Sequence, residues 1–325
     1  MIFGDVPLDR AAGAILAHSV RLPEGRLRKG VVLGDAEVAR LRDAGIDHVT
    51  VARLTGTDMD ENEAATRIGS ALLADGLELR PAFTGRANLH ATQAGVFEVS
   101  RHRIDALNLC DPDITVATLP EWQRVAAGMM VATVKIIPYA ADFAVFGPHL
   151  DAARGALRLH PPAIDRAELI VTKLTGAPTG VKAVLSRLDR LGVAHSVTEV
   201  AHEIGALSQA LAAGNAPLRL ILTASATSDV RDVGPAALVA AGGRLTRFGM
   251  PVDPGNLLFL GDLKDARVIG LPGCARSPAL NGADWVLERV ICGVPVTSGD
   301  IAGMGVGGLL NEIPTRPQPR DRANR

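Results

Sequence analysis

The chain has 325 residues, with 34 Lys and Arg against 35 Asp and Glu for a formal net charge of −1, and 47% of it is hydrophobic although it carries only seven Phe, two Trp and one Tyr. Balanced charge leaves no basic footprint for nucleic acid or an anionic membrane, the apolar content argues against disorder, and no apolar run approaches the roughly 18 residues of a membrane span. A core of Ala, Val, Leu and Ile, interrupted by 34 Gly and 20 Pro, points to a soluble, turn-rich protein of about two domains.

The opening MIFGDVPLDR lacks the basic start and apolar stretch of a signal peptide, so the cytoplasm is the expected compartment. Residues 35–44 read as a helix stopped by Gly45, followed by a β-branched stretch at 48–51. Asp60-x-x-Glu63 has the form of a capping box, opening a helix with Ala64, Ala65, Ile68 and Leu72 on one face. Residues 76–150 read as short strands and loops, the strongest strand being 130–137, MVATVKII.

A boundary is expected near Pro161-Pro162, with a mixed α+β domain over 1–160 and an α/β domain over 161–293. Beyond it strands and helices alternate. Strands are expected at 168–174, 193–200, 218–222, 244–248, 257–260 and 267–270. Helices are expected at 181–191, 204–213, 235–241 and 279–291. That alternation implies parallel pairing with right-handed crossovers, hence an open, doubly wound, three-layer α/β/α sandwich. Residues 294–325 form a C-terminal segment ending in the Pro- and Arg-rich PTRPQPRDRANR, which reads as a linker or frayed tail.

In doubly wound sheets ligands sit beyond the carboxyl ends of the strands, which singles out three loops. The first carries Thr175 and Gly176, small residues that let backbone N–H groups approach an anion at a helix start, although strand-to-helix turns use Gly and Thr routinely. Lys182, in the first turn of that helix, could add a cation or simply be solvated. The second, residues 223–232, gathers the hydroxyls of Thr223, Ser225, Thr227 and Ser228 with Asp229 and Asp232. These could bind a polar ligand and Mg²⁺, or cap the following helix. The third, residues 271–278, brings Pro272, Gly273, Cys274, Arg276 and Ser277 to a helix start. Arg276 suits phosphate through its guanidinium fork or, blandly, a surface ion pair; Cys274 is more simply a small buried residue than a reactive thiol. Pro254, Gly255 and Asn256 read as a turn. The three cysteines, Cys110, Cys274 and Cys292, and the eight histidines show neither disulfide nor zinc spacing.

The second half resembles the molybdopterin-binding domain shared by molybdopterin molybdotransferases and adenylyltransferases. The matching features run in the family's order from about residue 165 to 293: the loop after ELIVTKL, the 223–232 loop, Gly242-Gly243, VDPGN at 252–256, and VIGLPG at 268–273. GMPVDPGNLL, GLPGCARSP and MGVGGLL are similar to a bacterial subgroup in which this unit precedes a cytidylyltransferase-like module. The resemblance implies an α/β molybdenum-cofactor biosynthesis protein. It would bind molybdopterin, or a nucleotide or molybdenum form of it, through Thr175, Gly176, the hydroxyls of 223–228, Pro254 to Asn256 and Pro272 to Ser277. It further implies transfer at the pterin phosphate or molybdate insertion with Asp229 and Asp232 catalytic, Mg²⁺ held by Asp229 and Glu203, and a possible homodimer.

Departures from the family pattern qualify that list. Glycines before Asp229 are replaced by Thr223-Ala-Ser225, a Lys-Pro-Gly-Lys turn becomes Asp253-Pro-Gly-Asn256, an acidic pair becomes His202-Glu203, and Leu-Pro-Gly-Asn becomes Leu-Pro-Gly-Cys274 with Arg276 two residues on. Two cations are thereby lost, leaving Arg276, with Arg231 or Lys182, to meet a phosphate. A non-catalytic carrier that hands the cofactor to a cytidylyltransferase or molybdoenzyme is the alternative, and a nucleotide-processing enzyme on the same fold is a third reading.

Overall fold

The structure, a computed structural model, describes residues 1–176 and 179–310. The chain forms two compact units, one of residues 1–93 with 97–159, the other of 94–96 with the chain from His160 on. The Pro- and Arg-rich tail lies outside the described residues.

The first unit is a mixture of small antiparallel sheets and helices. Its first 53 residues wrap a three-stranded sheet, Ile2–Pro7, His48–Arg53 and Ile15–Leu16, around their own cluster of Leu8, Leu16, Leu22, Leu33, Leu41 and Val49. The helix Glu61–Leu72 starts where the capping pattern predicts: Asp60 accepts hydrogen bonds from the backbone N–H groups of Asn62 and Glu63. Its Ala64, Ala65, Ile68 and Leu72 pack on a four-stranded sheet that includes Arg86–Ala91 and Met130–Ile136. Helices interrupt the stretch expected to hold only strands and loops: Arg101–Cys110, which buries little more than Ile104 and Leu107, and the short Phe143–Phe146.

The second unit is built on a six-stranded sheet. Its strands are β1 (Arg166–Lys173), β2 (Ala194–Ala201), β3 (Leu218–Leu222), β4 (Arg244–Phe248), β5 (Phe259–Leu263) and β6 (Ala266–Gly270). Their spatial order is β2-β1-β3-β6-β5-β4. β2, β1, β3 and β6 pair in parallel, while β5 runs antiparallel to both neighbours. The helices are α1 (Val181–Asp189), α2 (Ile204–Ala213), α3 (Val233–Ala240), α4 (Gly282–Ile291) and α5 (Ser298–Gly303).

β1 feeds α1 and then β2 on one side; α2 then returns across β1 to β3 on the other. Right-handed crossovers therefore put α1 and α2 on opposite faces. On one face Leu207, Leu211, Ala237 and Leu238 of α2 and α3 pack with Ile170, Ile221 and Val268 of the sheet. On the other, α1 and α4 are tied by an ion pair between Arg187 and Asp284. The strands β1 and β3 are apolar throughout their centres because both faces are covered. The fold is thus α/β with a mostly parallel sheet. Among the described residues no helix is long and apolar enough to cross a membrane.

Candidate functional site

The strand order reverses at β1 and β3: the chain leaves β1 towards β2 and re-enters the sheet on the opposite side at β3. The connections leaving the two carboxyl ends diverge there and open a crevice, the usual ligand position in this architecture. A cleft of about 290 Å³ occupies that point, lined by Thr172, Lys173, Thr175, Gly176, Thr179, Ala224 and Arg276 among others. Two of the three loops singled out from sequence thus face each other across it, and the third supplies Arg276.

Arg276 joins these loops. It lies in a short turn of 3₁₀ helix, Gly273–Arg276, entered from Pro272. One Nη group donates to the carbonyl of Thr179 and the other to that of Thr223, at 2.8 Å for the second. Among the described residues it has no carboxylate partner, so it is not the surface ion pair of its bland reading. Desolvation pulls its pKa below the usual arginine value, yet a guanidinium keeps its charge near neutrality. Two of its five N–H bonds are spent on carbonyls, which leaves three for an anion. Gly180 makes this arrangement possible: its φ is +76°, and a Cβ there would stand 2.3 Å from the Cβ of Arg276.

The turn carrying Arg276 is held from below by Arg187. Fully buried in α1, Arg187 donates to the carbonyls of Ala275, Ser277 and Ala279 and pairs with Asp284 of α4. Asp284 also accepts from the N–H of Asn281, completing the capping box that starts α4. Sequence reasoning passed over Arg187 because a helix with Val184 and Leu188 inside gives no sign that the intervening Arg is inside too.

Residues 223–232 divide into two parts. Near the cleft, Thr223 donates to the carbonyl of Ser225 at 2.8 Å and sits 3.4 Å from the hydroxyl of Thr227; both threonines are buried. Ser225 is exposed and lies 2.8 Å from Nε2 of His202, whose Nδ1 is 2.8 Å from the hydroxyl of Thr172. Thr172 and His202 were not among the expected site residues; a Thr inside an apolar strand reads as a β-former, and only its place at the strand's carboxyl end hinted otherwise. Farther out, Asp229 takes both its oxygens to Arg231, at 2.7 and 3.1 Å, and the hydrogen bonds from Arg231 lower its pKa to about 2. Asp232 accepts from the N–H groups of Ser228 and Asp229, closing the loop on itself.

The remaining expected residues lie elsewhere. Lys173, which the expectations omitted, lines the cleft but is paired with Glu199 at 2.8 Å. Glu203 is exposed at the start of α2, with no side-chain capping bond. The turn of Pro254, Gly255 and Asn256 packs away from the cleft-lining set: Pro254 accepts from the N–H of Gly282, and Asp253 exchanges backbone hydrogen bonds with Gly308 and Leu310. Gly255, at φ +144°, is so close to α4 that a Cβ would fall 2.7 Å from the nitrogen of Gly282. Gly273 opens to solvent and Ser277 accepts from the N–H of Ala279. Cys274 is half-buried, and burial raises its thiol pKa. Among the described residues no three His, Cys, Asp or Glu side chains are grouped to hold a metal ion.

Residues 5–53 match the model of a domain of unknown function (DUF8806), the stretch that carries its own small core in the first unit. No curated protein matches the sequence. Among solved structures the chain is similar to the crystal structure of a molybdopterin biosynthesis MoeA protein from Pyrococcus horikosii. The TM-score is 0.30 at 11% identity, covering 94% of this chain and 76% of that one, a likeness too weak to assign any residue.

Proposed function

We propose that the second unit binds molybdopterin, or a nucleotide or molybdenum-bearing form of it, with the ligand's phosphate in the cleft between the carboxyl ends of β1 and β3. The observation that carries this reading is Arg276, a half-buried cation with three free N–H bonds at the switch point of the sheet. The order of motifs shared with molybdopterin-binding domains supports the same ligand class. Backbone N–H groups beside Thr175 and Gly176, and the hydroxyls near Ser225, would complete the phosphate's hydrogen bonds.

The donor set does not fit Mg²⁺. Asp229 is neutralised by Arg231, Asp232 is occupied by its own loop, and among the described residues Glu203 belongs to no group of three His, Cys, Asp or Glu side chains that could hold a metal ion. This commitment of both carboxylates favours the carrier form of the proposal over group transfer or molybdate insertion. Such a carrier would work in the cytoplasm and pass the cofactor to a cytidylyltransferase or a molybdoenzyme, as a monomer or a homodimer.

The test is mass spectrometry of ligand released from the full chain expressed in a molybdopterin-producing host. A pterin in near-stoichiometric amount is expected. Folded protein that carries no pterin and takes up none when it is added would overturn the reading. Turnover of molybdopterin with Mg-ATP or molybdate, lost in Asp229→Asn, would replace the carrier by an enzyme.

A further inference from the structure

Thr172 is 1% exposed, and its hydroxyl oxygen already accepts a hydrogen bond from the N–H of Ala224 at 2.8 Å. It has one proton to give. Among the described residues the acceptor within reach is Nδ1 of His202, also at 2.8 Å. A buried hydroxyl proton left without an acceptor forfeits its hydration for nothing, so Nδ1 is the accepting nitrogen. In the neutral ring the proton then sits on Nε2, which donates to Ser225 Oγ 2.8 Å away. Ser225, its oxygen now taken as an acceptor, keeps its own O–H for whatever enters beside Ala224.

We propose that Ala224 N–H, Thr172 O–H, His202 Nε2–H and Ser225 O–H form a one-way donor relay. It leaves the Ser225 O–H free to donate to an anionic oxygen of the ligand. The ligand half of the proposal rests on the phosphate reading above; the polarity of the relay does not. Each bond polarises the next in the same sense, so the terminal hydroxyl is a stronger donor than an isolated serine.

The arrangement has the outline of a serine nucleophile with a histidine base steadied by a third group, but its polarity is reversed. A base needs a bare Nε2 and an Nδ1–H held by an acceptor. Thr172 could accept from Nδ1–H only by leaving its own buried proton unmatched. The relay therefore favours an acceptor at that position, such as an oxygen of a phosphate. Arg276 supplies charge in the cleft, and Ser225, exposed next to the cleft-lining Ala224, supplies direction.

The polarity is tested on the full chain by ¹⁵N NMR of the histidine rings, with the His202 signals identified by their loss in His202→Gln. The Nε2–H tautomer is expected, and the Nδ1–H tautomer overturns the relay whatever the protein binds. Binding is tested by calorimetry with inorganic phosphate. Ser225→Ala should weaken it about 10- to 100-fold, the range for one hydrogen bond to a charged acceptor. His202→Ala should lose nearly as much, and His202→Gln, which places an amide N–H near the Nε2 position, should recover most of that loss. The Ser225→Ala/His202→Ala pair should be no weaker than Ser225→Ala alone, because His202 acts through Ser225. Additive losses would mean that His202 meets the ligand directly and would overturn the relay. If wild-type protein does not bind phosphate, the ligand half falls with the phosphate reading, and the tautomer still decides the polarity.

Discussion

Arg276 does two things at once, and they can be separated. Its two bonds to the carbonyls of Thr179 and Thr223 tie loops together, while its charge and remaining N–H bonds face the cleft. Arg276→Ala is expected to weaken phosphate binding about 10- to 100-fold while lowering Tm by only a few degrees, since the lost bonds were to partly solvated carbonyls. Arg276→Lys keeps the charge but not the fork, and should bind between the two. Equal binding by wild type and Arg276→Ala would show that the charge is not used. Asp229 makes the opposite case: a carboxylate expected to act on a ligand is instead held near 2 by Arg231. Its folded pKa is depressed, so the contribution of this pair is present above the ordinary carboxylate value and is lost as pH falls towards 2. In Arg231→Ala the Asp229 midpoint, followed by carboxyl ¹³C NMR, should move up towards 3.8, the value of a free carboxylate.

At the scale of elements, the site depends on how α1 and α4 grip the 271–279 loop. Arg187 and Asp284 are each 4% exposed, and removing one partner strands a buried charge, which costs about 3–5 kcal/mol. Arg187→Leu should therefore lower the urea midpoint sharply, and in whatever remains folded the loop should become sensitive to protease around residues 274–279. Unchanged stability would mean that Asp284 is satisfied by its bond from Asn281 alone. Gly180→Ala carries the same message from the other side: at φ +76°, with Arg276 in the way, it should disturb phosphate binding more than a surface Gly→Ala in the same unit.

Much of this framework was legible in the residues. The apolar run before Thr175, the Gly192 stop and the Pro235 start each mark an edge that the structure places within a few positions, because hydrophobic period and helix punctuation are local properties. Arg101–Cys110 was not legible, since two buried side chains in ten residues give too thin a stripe to stand out as a helix. The site was legible as a set of loops but not as contacts. Arg187, Thr172 and His202 matter through partners 23 to 97 residues away, and no local pattern announces a tertiary hydrogen bond.

Across the whole molecule, burial holds several acidic groups neutral into the alkaline range. All three thiols are shifted upward by desolvation, and Cys292 is pushed up to about 12 from 9.0. Tyr139 is raised for the same reason. A pKa higher in the folded state than in the unfolded one gives stability that is fully present below 9.0 and lost as pH climbs towards 12, because the unfolded chain releases its proton first. The unfolding free energy should therefore fall over that window. Cys292 alone contributes a slope approaching ~1.4 kcal/mol per pH unit, and the other thiols and Tyr139 add to it in the same sense. Cys292→Ala isolates the first contribution. Its stability deficit relative to wild type, from urea melts at successive pH values, should be constant up to about pH 9 and then shrink towards pH 12 as the wild-type thiol loses its advantage. A deficit that stays constant through this range would show that Cys292 ionises in the folded protein as readily as in the unfolded chain. The same burial predicts that thiol reagents at pH 8 modify the native protein slowly and the urea-unfolded chain at three positions quickly.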